Sequence, residues 1–148
     1  MRTILFFLLP LMLALACSGP RNLQRAQFVY REGEKLQTLS LPVPQGFNED
    51  KMLLDTNGGK EQYYYYPSGA LFYFTNKVTW NTENDSLIRV QQGSRFSPKR
   101  ASYTYKGVDR NGLYWKEVRI NDFRYGYSYV PKSLVGPFDD ALNAIRFR

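Results

Sequence analysis

Glu117 stands between Trp115 and Arg119 in a run of alternating side chains, and it is the carboxylate best placed for acid–base work. The other members of a possible carboxylate pair, of the kind that hydrolyses glycosides, are Glu49, Asp50, Glu61, Glu83 and Asp85. Most of these sit in polar stretches that read as turns, where solvated carboxylates are expected. For Glu117 itself, pairing with Arg119 or Arg124 on a strand surface is a sufficient account. The chain has no histidine and a single cysteine, Cys17. Ser–His–Asp and Cys–His activation of a nucleophile are therefore excluded, together with the commonest general base and metal ligand. There is no G-x-S-x-G elbow and no thiolate ligand set, and Gly58-Gly59-Lys60 lacks the residues of a phosphate loop and reads as a turn. The residues predict no catalytic group, cofactor or metal, and a role in binding.

Two features suit binding. Tyr63, Tyr64, Tyr65 and Tyr66 are consecutive, so in a strand two of them must point away from the core. Tyrosine rings stack on sugars, anchor protein contacts and sit well at membrane interfaces. Positive charge is also concentrated: residues 89–132 hold ten basic and three acidic side chains, whereas residues 17–88 hold seven and eight. Within that segment Arg95, Lys99, Arg100, Lys106 and Arg110 are candidates for contact with anionic lipid or an acidic partner. Solvated strand faces kept soluble by Lys and Arg are the plainer alternative.

The elements that would position these groups are mostly strands. The pattern predicts a hairpin of Gln27–Arg31 and Lys35–Leu41 about Glu32-Gly33-Glu34, with Leu39 and Leu41 alternating with Thr38 and Ser40, and Pro42 and Pro44 ending the second strand. Asn48–Asp55 fits one or two helical turns or a short strand. The tyrosine run and Ala70–Phe74 flank a Pro67-Ser68-Gly69 turn and should pair antiparallel. A further apolar run, Leu87–Val90, follows, and then a basic loop over 93–100. From Ala101 a meander is clear, with Asn111-Gly112 and Asn121-Asp122 as its turns and aromatic residues at 123, 125, 127 and 129 expected on one face. Trp115, Glu117 and Arg119 should share a face of the middle strand, and a bulge would reconcile its irregular pattern. The chain closes with a helix capped near Gly136 and begun by Pro137, its apolar face formed by Phe138, Ala141, Leu142 and Ile145. The fold class is α+β: an antiparallel sheet of about six or seven strands with a C-terminal helix packed on one face.

The amino terminus supplies an address. Arg2 precedes an uncharged run from Ile4 to Ala16, too short to span a bilayer but suited to a secretory leader. Leu13-Ala14-Leu15-Ala16-Cys17-Ser18-Gly19 resembles the lipobox of bacterial lipoproteins. The resemblance implies cleavage after Ala16, removal of 1–16 as a signal peptide, and a diacylglyceryl lipid on Cys17. Ala14-Leu15-Ala16 equally fits the A-x-A site of an ordinary signal peptidase, which would release a soluble protein. By the habits of the lipoprotein family, Ser18 after the cysteine implies the periplasmic face of the outer membrane. Export argues against nucleic acid as a partner. Residues 17–26 read as the lipidated cysteine and a short tether, and 27–148 as one domain. Gly126-Tyr127 together with Asp140–Phe147, and Leu39-Ser40-Leu41-Pro42 followed by Gly46-Phe47, are similar to segments of the Mog1/PsbP-like α/β/α sandwich family, which implies helices packed on the sheet. The expectation is a lipid-anchored, non-enzymatic envelope protein that binds a protein partner or envelope component, with an accessory subunit of an outer-membrane assembly as one form of it. The alternative is a module that binds glycans or anionic lipid through its tyrosines and basic segment.

Overall fold

A computed structural model describes residues 22–54, 59–76, 82–95, 97 and 102–147. The elements run β1 (Leu23–Glu32), β2 (Lys35–Pro44), β3 (Glu49–Leu54), β4 (Lys60–Tyr65), β5 (Leu71–Thr75), α1 (Asp85–Gln92), β6 (Ser102–Val108), β7 (Tyr114–Ile120), β8 (Phe123–Val130) and α2 (Val135–Ala144). β1 and β2 form a hairpin, and the other six strands make one antiparallel sheet in the order β3-β4-β5-β8-β7-β6. The chain leaves the sheet after β5, passes through α1, and returns as the β6–β8 meander, which brings β8 beside β5. The class is α+β, with the C-terminal helix on one face.

One face of the sheet is aromatic. Tyr64, Tyr66, Phe72, Phe74, Tyr125 and Tyr127 point to it, and Phe28, Leu41 and Val43 of the hairpin cover it with Phe138, Ala141, Leu142 and Ile145 from the helical end. Phe138 meets Tyr66 and Tyr127 at ring-centroid distances of 4.8 and 5.6 Å, separations at which tilted and edge-on aromatic pairs are favourable. Burying these rings removes large apolar areas from water at ~25 cal/mol per Å², and this layer is the principal stabilising element.

Several boundaries differ from the sequence expectations. β1 starts at Leu23, so Leu23–Ala26 belong to the hairpin and not to a tether. β2 continues through Pro42 and Pro44, which pair with Arg25 and Leu23. A two-stranded hairpin leaves one side of each strand without ladder bonds, and proline is tolerated there. Of the two forms open to Asn48–Asp55, the strand is adopted, as β3. Leu87–Val90 lies in a helix, α1, which the sequence reading did not assign. α2 begins at Val135, directly after a short 3-10 segment at Lys132–Leu134, so Pro137 is its third residue and not its first. A bulge between β7 and β8 shifts the register at Tyr114/Lys116 and places Tyr129 at φ 59°. Tyr129 is thereby diverted from the aromatic face that Phe123, Tyr125 and Tyr127 share.

Candidate functional site

The opposite face of the sheet is built from polar residues. Arg124 and Ser128 alternate with the aromatic residues of β8, and Glu117 and Arg119 alternate with Val118 on β7. Tyr73 comes from β5 and Tyr103 from β6. Period-two geometry puts all six on one side. Thr82, Asn84 and Asp85, at and just before the start of α1, descend onto them. Every one of these residues is buried, and Glu117, Arg124, Asn84 and Ser128 have no exposed surface.

Glu117 is the hub. Its Oε1 accepts from Tyr103 OH at 2.7 Å and from Arg124 Nε and Nη2 at 3.0 and 2.7 Å. Its Oε2 accepts from Tyr73 OH at 2.6 Å and from the Thr82 hydroxyl. Arg124 Nη2 also donates to Thr82 Oγ1 at 2.9 Å and pairs with Asp85 Oδ1. Burial opposes the guanidinium charge, yet Glu117, Tyr103 and Asp85 hold Arg124 above its ordinary value. The phenols of Tyr73 and Tyr103 are driven upward by burial and then by the Glu117 carboxylate, so both stay neutral donors. Asn84 fixes the helix entry: its Nδ2 faces Tyr73 OH, Lys116 O and Tyr127 O at 3.0–3.2 Å, and its Oδ1 accepts from Ser128 Oγ at 2.8 Å.

Gly126 makes this geometry possible. It pairs with Tyr73 on one side and Glu117 on the other, so the tyrosine must reach across a whole strand to its acceptor. A Cβ at Gly126 would collide with the Lys116 carbonyl oxygen and lie 2.8 Å from the Tyr73 hydroxyl. Gly107 plays a lesser version of the same part under the Trp115 indole, which a Cβ there would approach to 2.9 Å.

Both Glu117 oxygens are filled by donors, and the hydroxyls that touch them are spent as donors. Asp85 Oδ2 and Arg119 Nη1 are buried without a hydrogen-bond partner among the described residues. A cleft of about 420 Å³ beside α1, lined by Thr82, Glu83, Asp85, Ser86 and Arg89, touches the edge of the network at Thr82 and Asp85. Among the described residues, no three Asp, Glu, His or Cys side chains group to hold a metal ion.

Glu117 is thus a buried residue paired with Arg124, in place of the surface pairing expected. Of the candidate binding residues, Tyr64 and Tyr66 belong to the aromatic core and Tyr63 is buried on the polar side, its hydroxyl 2.8 Å from Glu61. The run does alternate faces, but both faces are covered; Tyr65 alone of the four is only half-buried. Arg95 is exposed after α1, Lys106 is exposed on β6, and Arg110 is exposed in the turn that follows. Lys99, Arg100 and Cys17 lie outside the described residues. Much of the basic segment is used internally: Arg119 and Arg124 are buried, and Lys116 pairs with Asp139 at 2.8 Å.

The surface feature that sequence reasoning missed is β3. Among the described residues it pairs only with β4, and all six of its side chains are exposed, including Met52 (51%), Leu53 (39%) and Leu54 (67%). The adjacent Met-Leu-Leu triplet was a usable signal, because it breaks the alternation of a strand with one covered face.

No family model, curated protein or solved structure matches this chain.

Proposed function

We propose that the protein is a lipid-anchored, non-enzymatic envelope module that docks a protein partner along the open edge of β3, as an accessory subunit of an outer-membrane assembly. The observation that carries this is the exposure of all six β3 side chains, with three large apolar ones on a strand that has one neighbour among the described residues. Edge strands are ordinarily blunted by charge, proline, bulges or a covering loop, because their unpaired backbone groups recruit other strands. An apolar, uncovered edge suits recognition by strand addition, in which main-chain bonds supply affinity and alternate side chains supply specificity. Support for a non-enzymatic role comes from Glu117, the best-placed carboxylate, which is enclosed and saturated with donors. The lipobox-like motif at Cys17 supports the anchor. With β1 beginning at Leu23, the intervening residues reach at most roughly 20 Å, which would hold the domain close to the bilayer. Burial of Tyr63, Tyr64 and Tyr66 weighs against a glycan platform.

The test uses the full chain expressed in its native cells. The membrane-extracted protein is expected to carry a diacylglyceryl adduct at Cys17, and Cys17→Ser to move to the soluble fraction. Met52→Lys/Leu54→Lys is expected to lose a stoichiometric membrane partner with an unchanged urea midpoint. An unmodified Cys17, or a partner retained by the lysine variant, would overturn the corresponding half of the reading.

A further inference from the structure

We infer that the β3 edge receives an antiparallel strand of a partner protein whose basic residues lie against Glu49 and Asp50 and whose apolar residues lie against Met52–Leu54. This rests on the docking reading above and adds the partner's chemistry; the antiparallel direction continues that of the pairings within this sheet.

β3 is polarised along its length. Its first two residues are acidic, Lys51 follows, and its last three are apolar. The acidic end is reinforced from the polar side of the sheet. Glu49 pairs with Tyr65 across the strands; burial, then Glu49 and then Glu83 raise the Tyr65 phenol, while at Tyr63 burial and Glu61 come first and Glu83 adds least. Glu83 also accepts from Tyr129 OH at 3.2 Å. None of Glu49, Asp50 and Glu83 has an ion pair among the described residues. Lys51 is the one cation on β3 itself. The corner is therefore negative in a chain whose formal net charge is +7. The Tyr65 ring, stacked on Tyr63 at 6.2 Å and half-buried, adds a face on which a cation is held by the ring quadrupole.

Successive residues of an added strand alternate between faces. A basic residue opposite Glu49 would fall on the Tyr65 and Glu83 side, and its neighbour opposite Asp50 on the other. Two adjacent basic residues thus satisfy both faces at that end. A second copy of this chain fits poorly: antiparallel self-pairing about the centre of β3 sets Glu49 against Leu54 and Asp50 against Leu53, acid against hydrocarbon. The complementary order, read along the partner from its amino end, is three apolar residues, an acidic one opposite Lys51, then two basic ones.

The probe is a fluorescein-labelled peptide, Ser-Val-Ile-Val-Glu-Lys-Arg-Ser, titrated with the full-length protein by anisotropy. Two control peptides carry Glu-Glu in place of Lys-Arg, or proline in place of the isoleucine. The protein is compared with its Glu49→Lys/Asp50→Lys variant; both positions are exposed, and an unchanged urea midpoint verifies the fold. The parent protein is expected to bind the Lys-Arg peptide on the order of tenfold more tightly than either control. The variant is expected to invert the preference and favour the Glu-Glu peptide. Equal affinity for the charged pair of peptides, indifference to proline, or no saturable binding of the Lys-Arg peptide would overturn the inference. So would light scattering that shows a dimer abolished by the Met52→Lys/Leu54→Lys change. The two readings fail separately. A membrane partner lost on Met52→Lys/Leu54→Lys but retained by Glu49→Lys/Asp50→Lys would sink the charge rule and leave β3 docking intact. A partner retained by both variants would sink both.

Discussion

Tyr73, Gly126 and Glu117 sit side by side on three adjacent strands, and the middle one has no side chain, so the outer two can meet. Gly126→Ala is expected to cost about 3 kcal/mol in urea unfolding, because the new methyl meets backbone that cannot move aside. Glu117→Gln keeps the volume but removes the charge that compensates Arg124; losing one partner of a buried ion pair costs about 3–5 kcal/mol. A Glu117→Gln protein as stable as the parent would show that Arg124 does not depend on it. The phenols give a pH signature of their own. Burial raises the pKa of Tyr64 to about 12 and also raises Tyr66, Tyr73, Tyr103 and Tyr127. A raised phenol favours the neutral form in the fold, so its stabilising contribution is complete below the unfolded value near pH 10. It is lost as pH rises through the folded value. Tyrosinate absorbance of the native protein should therefore lag behind that of the urea-unfolded chain above pH 10, and all twelve tyrosines titrating together in native buffer would contradict the burial described.

At the scale of elements, the β6–β8 meander and α2 were legible because turn residues and periodicity carry them. Asn111-Gly112 marks the first turn, with Gly112 at φ 76°, and the i, i+3, i+4, i+7 face of Phe138 to Ile145 is the buried one. α1 was not legible, for a physical reason. A helix shows itself through an apolar stripe, and this one buries only Ile88 from its apolar residues while leaving Val90 84% exposed. Polar pins hold it down instead, through Asn84, Asp85 and Thr82, and no hydrophobic pattern records them. The buried network was half visible: the alternation of Arg124, Gly126 and Ser128 with aromatic residues was readable, but the sequence held no sign that a second layer would cover that face. Thr82 and Asn84, at the entry to α1, help to make Glu117 and Tyr73 interior residues. Asn84→Ala should therefore loosen α1 selectively. Each buried group left without its hydrogen bond costs about 1–3 kcal/mol. Hydrogen exchange over 85–92 is expected to accelerate at least tenfold, with little change in β4 and β5. Uniform acceleration across the sheet would assign Asn84 to the global core instead.

Among the described residues the sheet is covered on one face by an aromatic layer and on the other by a network of charges and hydroxyls beside the α1 cleft. What it offers to the outside lies at its edges. Its basic segment contributes less surface charge than its composition suggests, since Arg119, Arg124 and Lys116 are occupied or enclosed. The two edge strands differ: β6 alternates exposed and covered residues, whereas β3 exposes everything. On this account the protein is a tethered platform that presents one strand. A photo-crosslinking residue placed in the full chain, in its native membranes, at Leu53, Leu54, Val108 or Val90 tests this most directly. A discrete partner adduct is expected from Leu53 and Leu54 and none from Val108 on β6 or Val90 on α1. Adducts from Val108 or Val90 with none from β3 would contradict it.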